Sequence, residues 1–387
     1  MSRYYVLTGS GNMRRGQGKG IGVYLFSPED GELKMTGRYL EEVNVGYQLF
    51  QPETGRLYLT DEYMSQPGKT GGGGSILSAV FDPVSGSVTE TGRVKSLGTN
   101  PSYLCVEKSG GYLIAVHHCT EQFAVKVIRN SAGVYDTETV FDDCAAVLFR
   151  LRQDGTVGEA CDVLRIPGEY RDGRYRMPHL HSITAVPGRN CYLAADKGLD
   201  RIYSLEPDLQ KGLLKICGTT EAAAGSAPRY GAFHPKLQLY YGNCEESAVL
   251  TVYRVSEDGR MTLLQSCPIL MPEEEPEEGC GVHPSDLKLS PDGRTAYVSV
   301  RDSENGGKIA VLRIGPDGLL TLLQNIPCFG ENPRGICLTL DGALLFAAEP
   351  DQGMLEVFHV QPDGRLTLFV QKTVGGCPGN LEILPAE

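Results

Sequence analysis

Residues 285–301, SDLKLSPDGRTAYVSVR, hold two short runs of alternating apolar side chains joined by Pro-Asp-Gly. Period-two hydrophobicity marks a strand with one buried face, and Asp-Gly at the joint marks a tight hairpin. The same design recurs at 46–62 (GYQLFQPETGRLYLTDE), 102–118 (SYLCVEKSGGYLIAVHH), 181–197 (HSITAVPGRNCYLAADK), 229–245 (RYGAFHPKLQLYYGNCE) and 334–350 (RGICLTLDGALLFAAEP). A second hairpin alternates with it, as in EDGELKMTG, EDGRMTLLQS and PDGRLTLFVQ. Its turn glycines fall at Gly31, Gly86, Gly155, Gly212, Gly259, Gly318 and Gly364, at intervals of 46 to 69 residues. Two hairpins per unit make a four-stranded antiparallel sheet, and regular repetition of such a sheet is the signature of a propeller.

A seventh copy of the first hairpin is split. GNLEILP near the C-terminus supplies one strand and YYVLTGS near the N-terminus the next. Joining them closes a ring and removes its last open sheet edge. The expected fold is therefore all-β: one seven-bladed β-propeller domain spanning 1–387, with four-stranded antiparallel blades closed by the N- and C-terminal strands. Helical periodicity is confined to the short TEAAAG stretch. The chain has no Trp and no GH…WD signature, which disfavours the WD40 class. Two stretches interrupt the repeat, DEYMSQPGKTGGGGS (61–75) and GEYRDGRYRM (168–177), and both read as loops beside the ring.

Composition narrows the function. With 48 Gly and 23 Pro the chain is turn-rich, yet below the ~25–30% that marks low complexity. A net charge of -12 argues against nucleic acid and anionic membrane surfaces as partners, since phosphate binding needs clustered Lys and Arg. A few arginines in one pocket can still capture a small anion. No apolar run approaches the ~20 residues of a membrane span, and MSRYYVLTGS reads as a strand rather than a secretory signal. The 12 cysteines are scattered, without CxxC, mostly within apolar runs. A reduced, cytoplasmic protein is expected.

In a propeller the innermost strands surround a channel, and loops at one mouth carry function. The first strand of the repeat opens with Tyr103, His181, Arg229, Asp286 and Arg334. The second ends at Glu62, His117/His118, Asp196/Lys197, Glu245, Arg301/Asp302 and Glu349. Ionisable residues thus recur at equivalent places.

The segments PHLHS (178–182), KGLDRIY (197–203), APRYGAFHPK (227–236), LSPDGRTAYVSVRD (289–302) and NPRGICLTLDG (332–342) resemble the lactonase family of seven-bladed propellers, along essentially the whole chain. The resemblance implies a central-channel site with His181, Arg229, Glu245 and Arg301. It implies hydrolysis of a sugar-acid lactone of the 6-phosphogluconolactone type, or the related cycloisomerisation of a carboxy-muconate. A propeller that binds a ligand without turnover is a third reading. Lactone hydrolysis calls for a base, for which His181 is the choice, and for positive charge at the developing oxyanion, for which Arg229 and Arg301 serve. Glu245 would orient them. His118, Asp286, Arg334 and Glu349 are expected to contact substrate, an anionic lactone or sugar acid. No cofactor and no metal is expected. Three places depart from the family pattern: Pro228-Arg229-Tyr230 stands where PRH is usual, His117-His118-Cys119-Thr120-Glu121 where Asn-Tyr-x-Gly-Gly is common, and Arg174-Tyr175-Arg176 where an Arg-Gln pair is usual.

Other residues read more plainly. His179 is expected to be structural, opposite His181 across the pleat. His234 reads as a turn histidine, and His283 lies nearer the mouth. Of His117 and His118, at most one can face the channel. The acidic run 272–280 reads as a solvated loop, and GGGGS (71–75) as a flexible rim loop rather than a phosphate cradle. There is no Gly-x-Ser-x-Gly elbow for a covalent serine mechanism.

Overall fold

A computed structural model of the chain describes residues 3–11, 19–65, 68, 70–257, 259–271 and 281–386. Seven four-stranded antiparallel sheets form the blades of a propeller. Their innermost strands are Val45–Gln51, Pro101–Val106, Leu180–Ala185, Pro228–Phe233, Val282–Leu289, Gly335–Leu338 and Pro378–Ala386, taken here as blades 1 to 7. The split repeat closes the ring: Pro378–Ala386 pairs antiparallel with Arg3–Ser10, setting Val6 opposite Ile383 and Tyr5 opposite Leu384. All seven turn glycines of the outer hairpins adopt positive φ, from 65° to 89°, a conformation that costs a side-chain-bearing residue but not glycine.

Neighbouring blades pack face to face through their apolar sides. Tyr297, Ile309 and Val311 of blade 5 meet Ile336, Leu345, Ala347 and Phe358 of blade 6, all of them buried. Residue 13 of the 17-residue repeat adds a directional latch. Tyr58, Tyr241 and Tyr297 each donate their hydroxyl to the carbonyl of the outer turn glycine of the next blade, Gly155 at 2.8 Å, Gly318 at 2.8 Å and Gly364 at 2.9 Å. The buried phenol thereby keeps its hydrogen bond.

Two insertions modify the ring. Phe123–Arg129 and Tyr135–Phe141 form a separate two-stranded hairpin inside blade 2, which accounts for the 69-residue interval between Gly86 and Gly155. The 168–177 stretch, expected as a loop, is instead a short hairpin of Glu169–Arg171 with Arg174–Arg176. Stacking explains its order: Tyr175 lies on Phe141 with ring centroids 3.6 Å apart. TEAAAG ends a strand and turns, with no helix. The acidic run 272–280 and residues 66, 67 and 69 of the first loop lie outside the described residues. Among the described residues, no helix is long and apolar enough to cross a membrane.

Candidate active site in the central channel

The inner strands do not alternate cleanly where they reach the mouth. In blades 1 to 5 the register shifts there, between Val45 and Gln48, Pro101 and Tyr103, Leu180 and Ser182, Pro228 and Gly231, and Pro284 and Leu287. A bulge re-aims side chains that simple alternation would send to opposite faces. Arg229 and Tyr230 exploit this in blade 4: the Arg229 guanidinium lies 4.6 Å from the centre of the Tyr230 ring.

Glu245, directly after the second strand of blade 4, anchors the site. Its Oε2 is 3.0 Å from Arg229 Nε and 3.0 Å from Lys197 Nζ, and its Oε1 accepts a 2.7 Å hydrogen bond from Arg301 Nη2. Blades 3, 4 and 5 therefore each send one cation to a single carboxylate. Burial works to raise the Glu245 pKa, but Arg229, Arg301 and Lys197 outweigh it and hold it well below the usual range. Backbone carbonyls fix the arginines: Arg229 Nη1 donates to Ser285 O, and Arg301 Nε to His283 O at 3.2 Å. Arg229 is 2% exposed. Burial lowers the Arg301 pKa to about 10, with Glu245 opposing, so it remains a cation at neutral pH. Arg334 adds a fourth cation, whose pKa burial and Arg229 lower while Glu62 pulls it back.

His181 stands beside this cluster. Its ring meets Tyr230 edge-on at 5.3 Å and His118 edge-on at 5.3 Å. Its Nδ1 is buried with no hydrogen-bond partner. Burial first, then Arg229 and His118, push its pKa well below the ordinary imidazole value, so the ring is neutral at physiological pH. His118 is likewise held down, to about 3, by burial and by His179 and Lys197.

The structure thus brings together His181, Arg229, Glu245 and Arg301, with His118 and Arg334 adjacent. Sequence reasoning missed Lys197 as the third cation on Glu245, although it had marked that position as a strand end. His179 differs from expectation. The shift between Leu180 and Ser182 puts its ring on the site side, stacked on His118 at 4.6 Å with Nδ1 2.6 Å from His118 O. His117 faces away, its Nδ1 2.9 Å from Ala145 O. His234 is the turn histidine expected, its Nδ1 accepting from the amides of Lys236 and Leu237, each at 3.0 Å. His283 reaches the mouth, 3.5 Å from Glu246.

Two expected substrate contacts are placed differently. Asp286 binds Lys288 at 2.6 Å and accepts hydrogen bonds from the amides of Leu287 and Ile336, which leaves it little capacity for a ligand. Glu349 requires correction. It is fully buried beside Glu356 and Cys328 at the junction of blades 5 and 6, and takes no part in the Glu245 network. Burial, followed by Glu356, pushes its pKa up to about 8. The strand end faces away from the channel: Asp61, Asp196 and Asp302, which end the same strand in blades 1, 3 and 5, engage backbone amides there.

Deeper in the channel, aromatic rings form a wall. Tyr47 stacks on Tyr103 at 3.8 Å, and Tyr103 meets Tyr230 at 5.3 Å. The sequence singles out Tyr103 as a strand opening and Tyr230 as a departure from the family pattern, but not Tyr47; only the convergence of blades 1, 2 and 4 assembles the three. A cation can be tested against the mouth as well. Glu245, Glu246 and His283 place ligand atoms within 4.8 Å of one another, but three cations already surround Glu245. That charge balance suits an anion instead.

The description "Lactonase, 7-bladed beta-propeller" matches residues 6–383. The chain belongs to that family. Among its relatives, the 6-phosphogluconolactonase of Bacillus subtilis is 24% identical over 304 residues, covering 78% of each chain. That of Formosa agariphila is 21% identical over 315 residues, covering 80% of this chain and 81% of its own. Of solved structures, the periplasmic gluconolactonase of Pseudomonas aeruginosa superposes with a TM-score of 0.84 at 23% identity, over 100% of both chains. A likeness at that identity speaks for the propeller fold.

Proposed function

We propose that this member of the lactonase family hydrolyses a sugar-acid lactone in the central channel, without a catalytic metal. The observation that carries the reading is the neutral, partnerless Nδ1 of His181 beside a carboxylate held by three cations. Membership of the family and the 6-phosphogluconolactonase relatives supply the substrate class.

The chemistry follows from the charges. Water attacking the lactone carbonyl must lose a proton, and a neutral imidazole is ready to take it. The carbonyl oxygen gains negative charge as the tetrahedral intermediate forms, and Arg301 or Arg229 donates to it from a fixed, water-poor position. Collapse expels the ring oxygen, which recovers the proton from the His181 imidazolium. Glu245 is too strongly stabilised as an anion to act as the base, so it orients the cations. His118 and Arg334 would meet the acid's polar groups. Asp286 would act through Lys288.

The test is turnover of 6-phosphogluconolactone and of unphosphorylated gluconolactone, measured above spontaneous opening. His181→Ala and Arg301→Ala should each lower turnover at least ~100-fold, the cost of losing a base or an oxyanion donor. Near-parental rates in both variants would remove these residues from the mechanism. A parent chain inactive on both lactones would overturn the reading.

A further inference from the structure

The last residue of the second strand offers an internal comparison. Asp61 accepts the Asn44 amide at 2.9 Å, Asp196 the amides of His179 and Gly198 at 2.7 and 2.9 Å, and Asp302 those of Glu304 and Asn305 at 3.0 and 2.8 Å. Asp196 and Asp302 satisfy the turn that follows their strand, and Asp61 the segment that leads into the innermost strand. Glu349 ends the same strand in blade 6, in register with Asp61 and Asp196, and does neither. It is 0% exposed, and apart from the nearby Asn332 amide its carboxylate oxygens have no hydrogen-bond partner. Asp61 and Asp302 also pair with cations, Arg93 at 3.6 Å and Lys308 at 3.4 Å, whereas Glu349 faces a second fully buried carboxylate, Glu356.

The surroundings point the same way. Ligand atoms of Glu349, Glu356 and Cys328 all lie within 4.8 Å of one another. Gln352 Oε1, a further buried oxygen without a partner, lies with Glu349 Oε2 against Gly330. A hollow remains because residue 330 is glycine: a Cβ there would strike both the Gln352 and the Glu349 side-chain oxygens. Glu356 is held in place by the Phe329 amide at 3.1 Å and by Gln371 Nε2 at 2.7 Å, the outer support that fixes a metal-ligating carboxylate. Two carboxylates this close and this buried can both carry charge only with a cation between them.

We propose that Cys328, Glu349 and Glu356 bind one divalent cation of the zinc class, a structural ion that ties the end of blade 5 to blade 6. The thiol selects the class: calcium and magnesium take oxygen ligands only, whereas zinc accepts sulfur with carboxylates in a four-coordinate shell. Gln352 or water would supply the fourth ligand. Closing the shell to Zn–S of ~2.3 Å and Zn–O of ~2.0 Å needs side-chain movements of about an ångström. Binding releases the thiol proton, so affinity should rise with pH.

The test uses the full-length chain, stripped with a chelator and titrated with zinc against a chromophoric competitor. One zinc per chain is expected, and cobalt(II) in its place should give thiolate-to-metal charge-transfer absorption. Glu349→Gln keeps the side chain's shape, and should weaken zinc at least ~10-fold; Cys328→Ser should do the same and abolish the cobalt band. Melting curves of both metal-free variants check that they fold. No stoichiometric zinc in the parent, binding of calcium alone, or zinc affinity and a cobalt band unchanged in both variants would each overturn the assignment.

Discussion

At the residue scale the site is a problem of protonation. A histidine can act as base only while neutral, and the environment of His181 keeps it neutral far into the acid range: burial first, then the charge of Arg229. If it is the base, the acid limb of kcat/KM should fall well below the ordinary imidazole value of ~6.5, and activity at pH 6 should stay near its plateau. An acid limb at or above that value would exclude His181 as the titrating group. The types of residue at the mouth were legible in the sequence, because His181, Arg229, Glu245 and Arg301 occupy matching places in the repeat. Their neighbours were not. Lys197 joins Glu245 across blades, and His179 joins His118 through a bulge, and neither relation leaves a mark on local periodicity. Glu349 shows the converse: an equivalent position in the repeat does not ensure an equivalent role once a methylene is added to the side chain.

At the scale of the element, the outer hairpin was almost wholly readable, since its turn glycine is demanded by backbone geometry. The hairpin's second task, receiving the preceding blade's tyrosine, was not readable, because it is made across an interface. Gly364 carries both tasks. Its φ is +89°, and a Cβ would press on the Thr295 side chain of blade 5, next to the carbonyl that binds Tyr297. Gly188 has a comparable φ of +76° with nothing within 4 Å. Replacing Gly188 with Ala should cost about 1 kcal/mol, the left-handed penalty alone. Gly364→Ala should cost 1–3 kcal/mol more through overpacking, which paired denaturant titrations would show. Equal losses would mean that the interblade contact is too soft to matter. The Phe123–Phe141 insertion gave no such signal, since its exposed Val and Thr alternate without a buried face.

At the scale of the molecule, a chain of net charge -12 holds a channel rich in cations. Salt at physiological strength screens the outer field over ~8 Å, so an anion is repelled only weakly outside and attracted once at the mouth. The same closed ring buries histidines that cannot take a charge. His117 is 0% exposed, its Nδ1 bound to Ala145 O, and burial lowers its pKa to about 4. Unfolded, it titrates near ~6.5. Between those values the unfolded chain binds a proton that the folded chain refuses, so this residue's contribution to stability falls as pH falls. From pH 7.5 to pH 5 the loss from His117 integrates to about 2 kcal/mol. Raised carboxyls such as Glu382, pushed up to about 7 by burial, act with the opposite sign, so the parent's total pH dependence mixes several groups. The difference between parent and His117→Gln isolates the one. Chemical denaturation at both pH values should show the parent losing about 2 kcal/mol more than the variant on acidification. Parallel pH dependences would mean that His117 is protonated in the fold or finds a partner on acidification.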